Sequence, residues 1–461
     1  MELIDRRLEV AELQRIRAAP PGLIILQGRR RVGKSFLLAE AFADPGVVSY
    51  QADEQPESVQ LEGLAREMAR RLPGQPTLQF GSWDEALRLA RDLAATEPLV
   101  LILDEFQYLA ASAPALPSIL QRHWDRWQRE GVPLVLVVCG SSLTFMEGLL
   151  SSGAPLFGRT TYRPLLQPLD YRNAVQFLGS RAPAVPAIER YGILGGTPQY
   201  QVWASTRSVE RILREVILSK GAPLYDEPLQ LLRGEESIRD PGRYLGALAA
   251  IAGGRTRTGE IGAAIGDPSN VSHLLDRLAM LRYIEQVAPI AFGSQRSRAY
   301  WRIVDPYFRF WFRRVHPTRS RLDRGRVDDV MAEIHNDFDT HMGAVFEDCC
   351  RVWLSQYSGL PAASVSREVG SWWSRRADAE IDVVAADRKR YTFLGACKWR
   401  RRPVDLDVLR DLQTARSMLG HEGADAQLAI FARAGFTARL MEHAVAEDVL
   451  LVTARDLFEP A

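Results

Sequence analysis

Gly28-Arg29-Arg30-Arg31-Val32-Gly33-Lys34-Ser35 follows the pattern GxxxxGK(S/T), the spacing of a loop that cradles phosphate. Its glycines let the backbone turn tightly enough to aim several N–H groups at phosphate oxygens. A helix starting near Gly33 adds the positive end of its dipole. Lys34 then reaches the β- and γ-phosphates, and the Ser35 hydroxyl ligates Mg²⁺. Gly28, Gly33, Lys34, Ser35 and Phe36, the residue that continues the loop into a helical run, are the residues assigned to nucleotide binding.

A second set of residues agrees with this chemistry. An apolar run at 99–103 ends in Asp104 and Glu105. Asp104 suits the Mg²⁺ shell beside Ser35, and Glu105 suits the orientation or deprotonation of an attacking water. Another apolar run, 134–139, ends in Gly140-Ser141-Ser142, where Ser141 could sense the γ-phosphate or simply cap a helix. Arg159, in Pro155-Leu156-Phe157-Gly158-Arg159, is a candidate arginine finger acting in cis or from a neighbouring subunit, with a solvated surface arginine as the alternative. Lys34, Glu105 and Arg159 are therefore the expected catalytic residues. Ser35 and Asp104 are the expected metal ligands, and ATP and Mg²⁺ the expected cofactors. Arg29, Arg30 and Arg31 stay outside the catalytic set, as candidates for contact with a neighbour.

These residues need elements to position them. Short apolar runs at 23–26, 47–50, 99–103 and 132–138 alternate with helical stretches. That alternation indicates a parallel sheet covered on both faces, the P-loop NTPase class of α/β fold, over residues 1–164. Residues 165–230 read as a helical lid. Residues 240–318 give three helices and two β-like segments, at 283–287 and 298–304, which reads as a winged helix. Asp267-Pro268-Ser269 is a good start for its third helix. Its exposed candidates for DNA contact are Arg255, Arg257, Ser269, Asn270, His273 and Arg277, with Arg296 and Arg298 on the wing. A protein-interaction winged helix is the alternative. A basic connector, 318–326, leads to a last α/β segment, 335–461.

Taken together, the P-loop, Leu103-Asp104-Glu105-Phe106-Gln107-Tyr108-Leu109, the Gly140-Ser141-Ser142 turn, the Arg159 segment and Gly195-Gly196-Thr197-Pro198-Gln199-Tyr200 resemble the archaeal-type ATPase family, in the STAND-like branch of AAA+ proteins. Further matching stretches are Leu224-Tyr225-Asp226-Glu227, the run 305–311, and Trp372-Trp373 followed by Glu380-Ile381-Asp382, so the resemblance covers the whole chain. It implies a lid in which the Gly196-Thr197-Pro198 turn couples to nucleotide state. It also implies a winged helix and a C-terminal domain of unknown function, similar to restriction-type nucleases.

Such nucleases place a helix acid, a strand acid and an acid-x-Lys pair around Mg²⁺. The matching residues are Glu347, then Asp382 with Glu380 on the same strand face, then Lys398. Ala396 stands where the acid two residues before Lys398 is expected, which removes a metal ligand. A nuclease-derived module that binds DNA or a protein without cleaving is the expectation, and an ATP-controlled, Mg-dependent nuclease the alternative. Lys398, Trp399, Arg400, Arg401 and Arg402 form a basic, aromatic run suited to a phosphate backbone.

Composition bounds what remains. The 461 residues carry 58 Lys and Arg against 57 Asp and Glu, so any nucleic-acid contact must come from local patches rather than the whole surface. Cys139, Cys349, Cys350 and Cys397 have no zinc-ligand or disulfide-framework spacing. The charged first residues do not read as a signal peptide, and no apolar run approaches the roughly 18 residues that span a bilayer. A cytoplasmic ATPase is expected, acting as a nucleotide-driven switch without membrane contact. Its partners would be DNA, a protein or a second copy of itself. A regulatory DNA-binding protein with negligible hydrolysis is the remaining alternative.

Overall fold

The computed structural model describes residues 3–43, 46–72, 78–179, 182–235, 238–292, 299–376 and 378–459. It divides into two compact units, Met1–Pro168 with Glu235–Ser237, and Leu169–Gly234 with Ile238–Ala461. The first four residues of the expected lid segment thus fall in the first unit and the rest of it in the second.

The first unit is a parallel sheet between helices. Strands β1 (Gly22–Gln27), β2 (Val47–Gln51), β3 (Leu99–Asp104) and β4 (Leu134–Gly140) pair in the order β1-β4-β3-β2. β1, β3 and β4 are buried along their whole length, which is why they read as unbroken apolar runs. Parallel bridges from Ile24 to Tyr162 and from Gln27 to Leu165 give β1 a neighbour on its other side. Helices α1 (Arg7–Ala18) and α2 (Lys34–Ala41) fill one face. Helices α3 (Glu57–Ala69), α4 (Trp83–Thr96), α5 (Phe106–Ser112), α6 (Leu116–Glu130) and α7 (Leu143–Leu149) fill the other. β4 starts two residues later than the run 132–138 suggested, because Pro133 has no N–H to give to the ladder.

In the second unit, helices Pro241–Ala252, Thr258–Ala264 and Val271–Met280 precede the antiparallel hairpin β5 (Ile284–Val287) and β6 (Tyr300–Ile303). The third helix begins at Val271 rather than at the Asp267-Pro268-Ser269 start. Asp267 Oδ1 instead closes a turn of its own, accepting from Ser269 Oγ at 3.0 Å and Asn270 N at 3.2 Å. Arg296 and Arg298 lie outside the described residues.

The C-terminal sheet is mixed. Strands β7 (Glu368–Trp373), β8 (Glu380–Asp387) and β9 (Arg390–Lys398) are antiparallel. β9, β10 (Gln427–Ala432) and β11 (Leu450–Thr453) are parallel, in the order β11-β10-β9-β8-β7. The helix Val327–Val352 packs on one face of this sheet and Leu406–Met418 on the other.

The segments of the second unit share cores. Helix Ala184–Leu194 meets Val327–Val352, where His341 Nε2 donates to Gly192 O at 2.8 Å. Ile290, just past β5, donates its N–H to Ser371 O of β7 at 2.9 Å. Among the described residues no helix is long and apolar enough to cross a membrane.

Candidate functional site

The loop between β1 and α2 has the shape its sequence demands. Gly33 adopts φ +95° with open space where a Cβ would be, so the backbone angle alone calls for glycine. At Gly28 a Cβ would stand 3.0 Å from Leu166 O, so the space itself is closed. Lys34 is only 6% exposed, and its Nζ donates to Gly28 O at 2.8 Å and Arg29 O at 3.3 Å. The ammonium therefore lies within the loop that would hold the phosphates. Phe36 stands exposed in the first turn of α2. Arg30 is exposed and donates to Tyr108 Oη at 2.7 Å, and Arg29 is buried.

Ser35 Oγ donates to Asp104 Oδ2 at 2.9 Å. Hydroxyl and carboxylate, from residues 69 apart in sequence, thus meet as a pair that can share a divalent cation. The other oxygen, Asp104 Oδ1, accepts from the Glu105 N–H at 2.9 Å, which fixes the carboxylate's plane. Together with the glycine cradle and Lys34, these residues fit Mg-ATP.

Glu105 sits at the start of α5 with φ 52° and ψ 46°, a left-handed conformation that a side-chain-bearing residue adopts at a cost of about 1 kcal/mol or more. Its Oε2 accepts from Ser141 Oγ at 2.6 Å and from Gln107 Nε2, and Gln107 Nε2 also reaches Ser141 Oγ at 3.2 Å. Gln107 is 4% exposed and Ser141 is 6% exposed, so the triangle is sheltered from water. Gly140 leaves room for it, since a Cβ there would lie 2.8 Å from Gln107 Oε1. Sequence reasoning found Glu105 and Ser141 but missed Gln107. The signal was its place in the first turn of the helix that Glu105 opens, on the same side as the strand end.

Arg159 is occupied. Its Nε and Nη2 donate to the two oxygens of Asp125 on α6, at 2.7 Å and 3.0 Å. The Arg159 hydrogen bond keeps the Asp125 carboxyl below its ordinary range, so the pair is ionic.

In the C-terminal domain the predicted acids do converge. Asp382 Oδ2 accepts from Cys397 N at 2.7 Å, and Arg351 Nη1 donates to Asp382 O at 2.6 Å. Burial, then the charge of Asp382, pushes Glu347 up to about 8. Burial raises Asp382 and Glu380 as well, with Lys398 opposing both shifts. Ala396 is itself buried in the apolar cluster under Leu406–Met418. Among the described residues no group of three or more His, Cys, Asp or Glu gathers closely enough to hold a metal by side chains alone, and Ala396 supplies no ligand where the third acid was expected. Trp399 also departs from its expected role as a stacking platform. It is buried, packed on Phe346 and covered by the Arg433 guanidinium at 4.8 Å.

The DNA-contact candidates of the three-helix segment divide. Arg255 and His273 are exposed. Arg277 is half-buried, and Arg257 Nη1 donates to Ala299 O at 2.5 Å. Ser269 and Asn270 are engaged by Asp267, a carboxylate that would repel phosphate.

Comparison with known proteins finds matches to two parts of the chain. Residues 3–202 match an ATPase domain predominantly from Archaea, and residues 311–410 match archaeal and bacterial proteins of unknown function. An uncharacterised protein of Methanocaldococcus jannaschii is 26% identical over 439 residues, 93% of this chain and 94% of its own length. The Walker-type ATPase of Pyrococcus abyssi has the same fold over 68% of this chain and 96% of its own, at 21% identity and a TM-score of 0.52. The ORC2 protein of Aeropyrum pernix is more distant, at 17% identity and a TM-score of 0.44 over 72% of this chain and 96% of its own. The archaeal-type ATPase resemblance carried by the motifs is thus shown, and the second match begins ahead of the segment 335–461 expected to hold a domain of unknown function and overlaps it as far as residue 410.

Proposed function

We propose that this chain, whose residues 3–202 match an ATPase domain predominantly from Archaea, binds Mg-ATP at Gly28–Ser35 and hydrolyses it as a nucleotide-driven switch. In this reading residues 240–318 are a winged helix, and residues 335–461 a restriction-nuclease-like module that binds DNA or a protein partner without cutting it. The observation that carries the reading is the Ser35–Asp104 contact of 2.9 Å beside the Glu105–Ser141 contact of 2.6 Å.

Backbone N–H groups of the loop and the Lys34 ammonium hold the β- and γ-phosphates. Mg²⁺, when bound to Ser35 and Asp104, offsets charge on the phosphate oxygens. Glu105 orients the attacking water and takes its proton, in a geometry that Ser141 and Gln107 hold. Ser141 can exchange its bond to Glu105 for one to the γ-phosphate, and through that exchange the site distinguishes triphosphate from diphosphate. Lys34→Ala tests the assignment: ATP affinity and turnover should both collapse, and unchanged values would refute it.

A second reading, a regulatory binding protein with negligible hydrolysis, is favoured by one feature. The Glu105 carboxylate is engaged by two donors, Ser141 and Gln107, which slows its use as a base. Turnover already at background in the unmodified chain, with no further fall in Glu105→Gln, would select it. The nuclease alternative would require Mg-dependent nicking that Asp382→Ala abolishes.

A further inference from the structure

The first unit carries a charged cleft that neither the nucleotide site nor the winged-helix reading uses. It lies between α4 and α6 and has a volume of about 770 Å³. Arg122, Arg126 and Arg129 recur at intervals of four and three, which sets them on one side of α6 over about 10 Å of helix. Arg88 of α4 also lines the cleft. All four side chains are exposed, while Trp124 and Trp127 on the opposite side of α6 are buried in the core.

Two aspartates in the lining, Asp84 and Asp125, act as supports for these cations. Asp84 accepts from the buried His123 at 2.9 Å and lies 3.4 Å from Arg122. Asp125 is taken by Arg159. Arg88 Nε and Arg129 Nε donate to the backbone carbonyls of Asp84 and Asp125, at 3.2 Å and 3.1 Å. Neither makes a side-chain ion pair within 4 Å among the described residues, although the Arg129 charge is felt by Asp125. Arg126 has only a 3.8 Å contact to Glu130, with both side chains about half exposed. Asp84 is thus compensated within the cleft and Asp125 by Arg159, which is not part of its lining, and the four arginines of the lining outnumber its two aspartates in a chain whose net charge is only +1.

We infer that this cleft is a binding site for the phosphodiester backbone of a nucleic acid. Every cation named is an arginine, whose planar fork matches phosphate oxygens in pairs, and none is a lysine. Among the described residues that line the cleft, the one ring is that of the buried His123, held by Asp84, and there is no side-chain amide to read a base, so recognition would be independent of sequence. An arginine row of about 10 Å matches roughly three base-pair rises along one strand. The site lies on the ATPase unit, and the inference does not rest on the winged helix.

The test is anisotropy of a fluorescein-labelled duplex, and of its single strand, titrated with the full-length chain over a series of KCl concentrations. The triple variant Arg122→Ala/Arg126→Ala/Arg129→Ala should weaken duplex binding by about tenfold or more, and flatten the log K against log salt slope by about 2–3. Its basal ATPase rate should stay that of the parent, which shows that the fold survives. The winged-helix triple Arg255→Ala/His273→Ala/Arg277→Ala separates the two surfaces. Loss of binding in that variant alone, with the cleft variant unchanged in affinity and slope, overturns the cleft and leaves the winged-helix reading standing. No measurable binding by the parent chain also overturns it. So does displacement of the duplex by polyglutamate at equal charge concentration, which would assign the cleft to an acidic protein.

Discussion

Glu105 carries a left-handed backbone, and the strain is held there because Asp104 accepts its N–H while Ser141 and Gln107 hold its carboxylate. Removing the Ser141 hydroxyl leaves the loop and Lys34 contacts to the phosphates in place but loosens the base and removes its exchange with the γ-phosphate. Ser141→Ala should therefore lower kcat by about tenfold with KM little changed, and Glu105→Gln should lower it by about 100-fold or more. A rise in KM at constant kcat in Ser141→Ala would place Ser141 in ground-state binding instead. Glu347 gives a different kind of prediction. Burial and Asp382 raise its folded value to about 8, so the folded chain keeps a proton that the unfolded chain releases near 4.5. The resulting stabilisation is complete below about 4.5 and is lost as pH rises through about 8. Glu347→Gln keeps the shape and cannot ionise. With 31% of the Glu347 side chain exposed and screened, the substitution should stabilise the chain above pH 8 by about 1–2 kcal/mol and leave it unchanged near pH 5. Thermal melts at the two pH values check this, and an equal shift at both would sink it. At this scale the sequence showed which residue types stand at the ends of β1, β3 and β4, because phosphate chemistry restricts them tightly. It did not show Gln107 or the Arg159–Asp125 pair, since both are settled by distances between segments rather than by spacing within one.

The turn Gly195-Gly196-Thr197-Pro198 shows what an element contributes beyond its residues. Gly195 has φ +64°, and a Cβ on it would stand 2.5 Å from Asp305 Oδ1. A Cβ on Gly196 would stand 1.7 Å from Leu169 O, while the Leu169 N–H donates to Gly196 O at 2.8 Å. The turn is thus clamped between backbone at 169 and the helix start at Asp305. Gly196→Ala must displace backbone rather than a flexible side-chain tip. It should cost about 3 kcal/mol or more, seen as a lower midpoint in urea, and a variant within about 0.5 kcal/mol of the parent would contradict the clamp. The elements themselves were legible where burial is uniform: β1, β3 and β4 as apolar runs, and Val271–Met280 as a helical stripe. Boundaries slipped where a local bond competed, at Pro133 and at the Asp267 turn. The partner of the helix Ala184–Leu194 was not legible, because an apolar helix face does not specify which core it joins.

At the scale of the molecule, the second unit is held together by charge as well as by apolar cores. Asp348 on Val327–Val352 receives Arg302 of β6 at 2.7 Å, Arg309 of Pro306–Phe310 at 2.9 Å and Arg351 of its own helix at 2.6 Å. Burial opposes its charge, yet the three guanidinium groups hold its carboxyl far below the usual range. One carboxylate thus joins the hairpin segment to the helix that carries Glu347, so a movement of either is felt by the other. Asp348→Ala would leave three partly buried cations without their common partner, at a cost of about 3–5 kcal/mol. The loss should not be local. Hydrogen exchange of the full-length chain should quicken together in β5–β6 and in Val327–Val352, while β1, β3 and β4 of the first unit keep their protection. Quickening confined to β5–β6 would mean that the hairpin segment and the C-terminal sheet are separate cooperative units, and that an output passed between them needs a route other than Asp348.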